Sequence, residues 1–409
     1  MSTKSSRTGK TGIDRRKFLQ TATATGGMMI VGPQAVRGSQ ANSRLELGII
    51  GSGSRGEFIG KLFEQHGNAK VVALHDYFAS RVKGLGELLK VEASRRYTGL
   101  DGYRQLLESK VDAVAIESPP YFHPEQAIAT MRAGKHLFLA KPMGVDVPGI
   151  MSIVEEAKKV RGKLSVIVDF QARNDPYFRE AAKRVREGAI GKIVGGHVYY
   201  HARPNKHQKK TNPQVQRLQH WLFDKALAGD IIVEQNIHVL DMAHMFINAH
   251  PLKAQGTGRR TSVAQVGDYW DEFYVTYWYP NDIRIDFSGL QFLRGYGDLC
   301  ARIYGEIGTA DTHYMGKVTI TGDQPWPGGD TAGLYTSGAV NNIKDFSASI
   351  FEGKPLFDTV EPSAESCLAG VLGRMAAYEG RIVTWDEMMK RKPRLDAKLQ
   401  LPPNGPELG

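Results

Sequence analysis

Cysteine is nearly absent: Cys300 and Cys367 are the only two in 409 residues. Lying in unrelated contexts, they can build neither a disulfide framework nor a zinc knuckle by themselves, and they read as two buried free thiols. Long apolar runs are missing too. No segment approaches 18 uninterrupted apolar residues, so no membrane span is predicted. No internal repeat is present, which excludes a repeat array. The formal charge of +10 invites a nucleic-acid reading, but seven cations and a single acid fall in the first 41 residues, leaving about +4 for the body. No Lys/Arg-rich run with interleaved aromatics survives there, so no nucleic-acid partner is expected.

What is present begins with a leader. Asp14-Arg-Arg-Lys-Phe-Leu-Gln20 resembles the twin-arginine export signal of bacteria, and a weakly apolar Thr/Ala/Gly stretch, Thr21 to Val31, follows it. Ser39-Gln-Ala41 gives small residues at cleavage-like spacing. The expectation is a signal peptide over 1–41, a periplasmic or secreted protein delivered through the twin-arginine translocase, and no membrane anchor after export.

The body is organised around Leu45-Glu-Leu-Gly-Ile-Ile-Gly-Ser-Gly-Ser-Arg-Gly56, an apolar strand breaking into glycines at the start of a helix. Gly51 suits the tight turn, Gly53 the approach of backbone to a pyrophosphate, and Gly56 close helix-strand packing, with Ser52, Ser54 and Arg55 between them. A second strand, Lys70–His75, ends in Asp76, 20 residues after Gly56, where a ribose 2′-hydroxyl needs an acceptor. That acid favours NAD over NADP. Arg81 lies too far along to overturn the preference, and Arg55 could partly offset it, which leaves NADP possible.

From Leu45 to Val168, strands (45–50, 70–75, 111–117, 136–140, 164–168) alternate with helical patterns (57–66, 81–91, 103–109, 124–133, 149–160). This is the pattern of a doubly wound parallel sheet, an α/β fold. Residues 42–168 form the first expected domain and 169–392 the second. In the second, helices at 177–187, 234–246 and 363–379 accompany β-like runs at 191–201, 272–279, 283–290, 301–307 and 317–321, read as a largely antiparallel sheet. Residues 203–219 read as a polar segment, 322–330 as a loop, and 393–409 as a poorly ordered tail or arm.

Seven pieces in order then carry a family resemblance: Gly51-Ser-Gly-Ser-Arg-Gly56, Ser118-Pro-Pro-Tyr-Phe-His123, Ala133-Gly-Lys-His136, Lys141-Pro142, Phe170-Gln-Ala-Arg173, Glu234-Gln-Asn-Ile-His-Val-Leu-Asp241 and Ala376-Ala-Tyr-Glu-Gly-Arg-Ile-Val-Thr-Trp-Asp386. The chain resembles the Gfo/Idh/MocA oxidoreductases, named for glucose-fructose oxidoreductase and inositol dehydrogenase. The resemblance implies an N-terminal Rossmann domain and a C-terminal α/β domain whose large, open, mostly antiparallel sheet often makes a homo-oligomer interface, as a dimer or tetramer. It implies cofactor contacts from the glycine loop, Asp76, Ser118, Pro119, His123, Lys141, Pro142 and Gln171. Lys141 would sit beside the nicotinamide and steady an alkoxide, and His238 would take the hydroxyl proton, a task suited to an unperturbed pKa near neutrality. Glu234, four residues earlier, would share a helix face with His238 and orient it or bind a sugar hydroxyl. Arg173, Arg203, His220, Trp221 and Asn236 complete the expected polar, ring-stacking sugar site. Three departures from the family pattern stand out: Ala140 for the usual glutamate before Lys-Pro, Glu234 for aspartate and Asn236 for glycine.

Histidines crowd between His197 and His250, and His197, Tyr199 and His201 would share one strand face, while His220, Glu234 and His238 could converge. No tight ligand motif is present, and no metal is expected. Three functions remain: a nicotinamide-dependent oxidoreductase on a secondary hydroxyl of a sugar, cyclitol or polyol; a glycosidase or lyase working by transient oxidation, elimination and re-reduction; and a non-catalytic sugar-binding protein. Retention of Lys141 and His238 speaks against the last.

Overall fold

The computed structural model describes residues 44–207, 211–261, 263–264 and 266–406. The export signal expected over 1–41 lies outside the described residues. The first sheet has six parallel strands: β1 (Leu45–Ile50), β2 (Ala69–Asp76), β3 (Arg96–Thr98), β4 (Ala113–Ile116), β5 (His136–Ala140) and β6 (Val166–Asp169). Their order is β3-β2-β1-β4-β5-β6, the doubly wound arrangement that alternating strands and helices predict. The strands are apolar on both faces because both faces are covered: β1, β4 and β6 are almost wholly buried.

Helices α1 (Ser54–His66) and α2 (Ala79–Leu88) cover one face; α3 (Gly102–Glu108), α4 (His123–Arg132) and α5 (Val147–Val160) cover the other. After α6 (Pro176–Arg186) and α7 (Ile237–Ile247), two long helices follow, α8 (Leu334–Phe351) and α9 (Val360–Glu379). The sequence reading missed α8. It completes the first sheet's α1 face: Phe346 meets Phe63 and Phe138 edge-on at 6.1 and 5.7 Å, and Ala339 and Ile343 join the same core. Helix α9 packs on α5, β6 and the second sheet.

The second sheet has nine strands: β7 (Ile193–His201), β8 (Lys253–Arg259), β9 (Glu272–Trp278), β10 (Arg284–Leu290), β11 (Asp298–Gly305), β12 (Gly308–His313), β13 (Lys317–Gly322), β14 (Trp326–Asp330) and β15 (Val383–Thr384). All neighbours pair antiparallel except β7 and β10. One face buries Val198, Ala301, Ile303, Ala310 and Val318. The other carries His197, Tyr199, His201, Asp298, Arg302, Asp311 and His313, which directly opposed pairs place on a common side.

Four expectations change. The helix expected over 234–246 is two pieces, a single turn Ile231–Glu234 and then α7, separated by Gln235 and Asn236. The loop expected over 322–330 contains β14, whose Gly-Gly-Asp sequence carries no strand pattern. The polar segment 203–219 includes two short helical turns, Pro213–Val215 and Gln216–Gln219. The tail is tied down: Leu395 N donates to Asp146 (2.8 Å), Arg217 to the Ala397 carbonyl (2.6 Å), Tyr77 to the Pro402 carbonyl (3.0 Å), and Leu100 N to the Pro403 carbonyl (3.0 Å).

One buried cation fastens the two sheets' connections. Arg374 of α9 donates to the carbonyls of Val145 (2.9 Å) and Gly229 (2.6 Å) and faces Asp230 and Asp146. Burial raises the Asp230 pKa to about 6 even so. Removing the guanidinium in Arg374→Leu leaves the two carbonyls unmet and takes a counter-charge from Asp230, which keeps its bonds from Tyr378, Ile231 N and Trp270 N; a loss of about 3 kcal/mol is expected, read as a lowered urea midpoint. An unchanged midpoint would refute it.

Candidate active site

The glycine loop forms as its residues require. Gly51 has φ +96°, and a Cβ there would lie 2.5 Å from the backbone of Glu117 and Ser118. A Cβ on Gly56 would lie 2.0 Å from the Gly51 carbonyl, so both positions are closed to any side chain. Gly53 is less crowded, a Cβ there meeting only Arg81 Nη1 at 3.8 Å, and it precedes α1 without a side-chain cap, leaving first-turn N–H groups for an anion. Asp76 closes β2 and accepts from Ser52 N and Phe78 N, both at 2.9 Å. The open cradle at Gly53, the uncapped helix end and this acid together fit a dinucleotide.

Gly51, Gly53 and Asp76 line a cavity of about 510 Å³ whose wall also includes Arg55, Glu117, Ser118 and Pro119. A larger cleft, about 870 Å³, lies elsewhere, between α6, the end of α7 and the start of α9. It has none of the loop residues and mixes Arg179, Lys183 and Arg186 with Glu361 and Glu365, so it is not the dinucleotide site.

Arg55 and Arg81 differ from expectation. Arg55 does not reach toward Asp76; it bonds Asp169 at 2.5 Å, stands 3.6 Å from Glu117, and lies over the rings of Phe58 and Tyr335. Arg81, expected to lie too far along, comes 3.9 Å from Asp76 and so offsets part of that acid's charge.

The residues expected to act on substrate gather at the strand ends. Lys141, closing β5, donates to Glu234 Oε1 (2.8 Å) and to the Glu234 carbonyl (2.5 Å). Glu234 therefore holds the lysine. It does not share one continuous helix with His238, because the chain breaks at Gln235. His238, in the first turn of α7, meets the rings of Phe170 (6.3 Å) and Tyr314 (5.1 Å). Burial, then the charges of Lys141 and Arg55, drive its pKa well below the usual value. The near-neutral titration expected of it is replaced by a ring kept neutral.

Several expected ligands have other duties. His123 is buried, its nitrogens 2.8 Å from the Pro142 carbonyl and 2.7 Å from the Ser118 carbonyl. Burial lowers its pKa to about 4, so the neutral ring donates to one carbonyl and abuts the other. It braces the ends of β4 and β5, and with them Pro142, without reaching the cavity. Gln171 is buried and accepts from Tyr314. Arg173 is fixed by buried Asp241 and faces the larger cleft. Asn236 is fully buried against Gly289 with both side-chain polar atoms unpartnered, so it presents nothing to a substrate. Arg203 is exposed. His220 and Trp221 line the same cavity as Asp76, and His220 does not converge with Glu234 and His238.

Glu117, Asp169 and Tyr314 were missed. The first two had a signal, an acid directly after an apolar strand, as at Asp76. Glu117 is wholly buried with neither oxygen hydrogen-bonded among the described residues. Burial raises its pKa to about 8, against the opposing pull of Arg55.

A glycine-loop cavity walled by Asp76, with a lysine held by a carboxylate and a buried neutral histidine at the strand ends, fits a nicotinamide-dependent oxidoreductase. Comparison with known proteins agrees. Residues 45–168 match the oxidoreductase family with the NAD-binding Rossmann fold, and 178–311 match the GFO/IDH/MocA C-terminal domain. The chain belongs to the Gfo/Idh/MocA family of oxidoreductases and carries its NAD-binding domain. It is 27% identical over 283 residues to inositol 2-dehydrogenase of Acidothermus cellulolyticus, covering 69% of this chain and 74% of that protein. Among solved structures it resembles aldose-aldose oxidoreductase of Caulobacter crescentus complexed with glycerol (TM-score 0.70, 20% identity, 84% of this chain and 100% of that one). It also resembles levoglucosan dehydrogenase in complex with NADH and levoglucosan (TM-score 0.68, 18% identity, 84% and 99%).

Glu117 sets a pH dependence. Its folded pKa is raised, so the folded state holds a proton the unfolded chain releases; this stability is present below about pH 4.5 and lost as pH rises to about 8. Glu117→Gln removes the dependence. Relative to it, the wild type should lose up to about 1.4 kcal/mol per pH unit in that window. Parallel stability curves would refute the shift.

Proposed function

We propose that the protein is an exported NAD-dependent dehydrogenase acting on a secondary hydroxyl of a sugar, cyclitol or related polyol. The observation that carries this reading is the Lys141–Glu234 pair beside neutral His238, where the strands of the first sheet end. Nicotinamide, when bound, accepts or returns the hydride. Lys141 donates a hydrogen bond to the substrate oxygen and stabilises negative charge building there. Glu234 fixes the lysine's position with two bonds. His238, kept in its acceptor form, takes the hydroxyl proton; two cations nearby make that proton easy to pass on. The relatives named as inositol and sugar oxidoreductases support the polyol class.

The twin-arginine-like leader supports a resident cofactor, since export delivers proteins already folded. It also favours a second reading: transient oxidation that lets a glycosidic group leave, followed by re-reduction with no net turnover of NAD.

The test purifies the full chain without added nicotinamide, assays it for bound cofactor, and follows the cofactor's absorbance with myo-inositol, free sugars and glycosides. Lasting reduction supports the dehydrogenase; glycoside cleavage with NAD oxidised at the end supports the second reading. Neither change, with no NAD bound, overturns both. Lys141→Met should lower kcat by about 10²–10⁴-fold while NAD still binds. Unchanged turnover would remove Lys141 from the reacting centre.

A further inference from the structure

The polar face of the second sheet carries a cluster that the proposed reaction does not use. Cys300 on β11 stands directly opposite His313 on β12, and Arg302 opposite Asp311. On the other side, β7 places Tyr199 opposite Cys300 and His201 opposite Asp298. One Cys, one Asp and one His ligand atom lie within 4.8 Å of one another here, the one such trio among the described residues.

We propose that Cys300, Asp311 and His313 form a binding site for one Zn²⁺-like divalent cation, with Asp298 orienting the histidine. Three observations carry this. His313 Nε2 is 3.3 Å from Asp311 Oδ1, and Cys300 Sγ is 3.6 Å from the same oxygen. A tetrahedral zinc bonded at ~2.0–2.1 Å to nitrogen and oxygen and ~2.3 Å to sulfur spaces its ligands at roughly 3.3 Å (N to O) and roughly 3.6 Å (S to O). Two of the three separations are therefore those of a tetrahedral site, and the third, sulfur to imidazole nitrogen, lies within 4.8 Å.

Second, Asp298 accepts from His313 Nδ1 at 2.8 Å and is itself held by Tyr199 OH at 3.0 Å. A carboxylate on one imidazole nitrogen leaves the other for the metal, the usual arrangement behind a metal-bound histidine. Third, the cluster is partly open: the side chains of His313 and Asp311 keep 21% and 31% of their exposure, while Cys300 is buried at its base. A fourth position is thereby left for water. Arg302 grips Asp311 from behind at 3.0 and 3.2 Å, fixing the carboxylate and moderating its charge.

Binding displaces the thiol proton, and any proton on imidazole Nε2, to solvent, so affinity should fall as the pH is lowered.

The test is titration of the chelator-treated full chain with Co²⁺, read by the thiolate-to-cobalt charge-transfer band and by metal per chain. One equivalent with the band, displaced by Zn²⁺, is expected. Cys300→Ser should lose the band while NAD binding shows the fold intact, and Asp298→Asn should weaken binding about 10- to 100-fold. No stoichiometric binding by the wild type at pH 8 overturns the proposal. So does a band that survives Cys300→Ser, since Cys367 would then be its source.

Discussion

Burying a guanidinium even in part is costly unless its charge and donors are met, and at the glycine loop that requirement falls on Arg55, whose side chain keeps 25% of its exposure. From the glycine loop it reaches across the ends of the central strands to Asp169, comes close to Glu117, and lies over the adjacent rings of Phe58 and Tyr335. The first turn of the first sheet, its last strand and α8 are thus referred to one cation. Its field also reaches His238, where burial keeps the imidazole uncharged and the charges of Lys141 and Arg55 add to the effect. Two cations face Glu234 and Asp169, and Glu117 is the carboxyl without a counter-charge of its own. It is the group whose pKa rises.

That arrangement bears on the departure at position 140. Leu139 pairs with Ile116 in adjacent parallel strands, so Ala140 and Glu117 follow at the same level of the sheet. A carboxyl is missing from the end of β5 and present at the end of β4. The neighbourhood of Lys141 keeps an acid, supplied from the neighbouring strand.

The first domain was largely legible because its signals are local. Gly51 and Gly56 are fixed by contacts their absent side chains permit, and strands buried on both faces read as continuous apolar runs. Asp76 could be placed by counting. What could not be read depends on contacts between distant residues. The helix expected through Glu234 and His238 has enough apolar residues to look continuous, yet Glu234 turns to Lys141, 93 residues earlier, and the helix restarts. His123, Gln171 and Arg173 carry family motifs, but their partners are a carbonyl, a tyrosine and an aspartate from other elements. Strand β14 has no side-chain pattern and exists only because β13 pairs with it. Helix α8 mixes Asn, Ser and Lys with its apolar residues, and its stripe makes sense only against Phe63 and Phe138.

The segment from Leu395 to Pro403 has a consequence for how the molecule comes into being. Tyr77, Gly99 and Leu100 wall the dinucleotide cavity, and the first and last of these bond to Pro402 and Pro403. Synthesis runs from the N-terminus, so the first sheet is complete in sequence long before these prolines and α8 are made. Until then one face of the sheet lacks part of its cover and the cavity lacks the backing of its wall. The nascent N-terminal half is thus a partly roofed structure, and firm retention of a dinucleotide becomes a property of the finished chain.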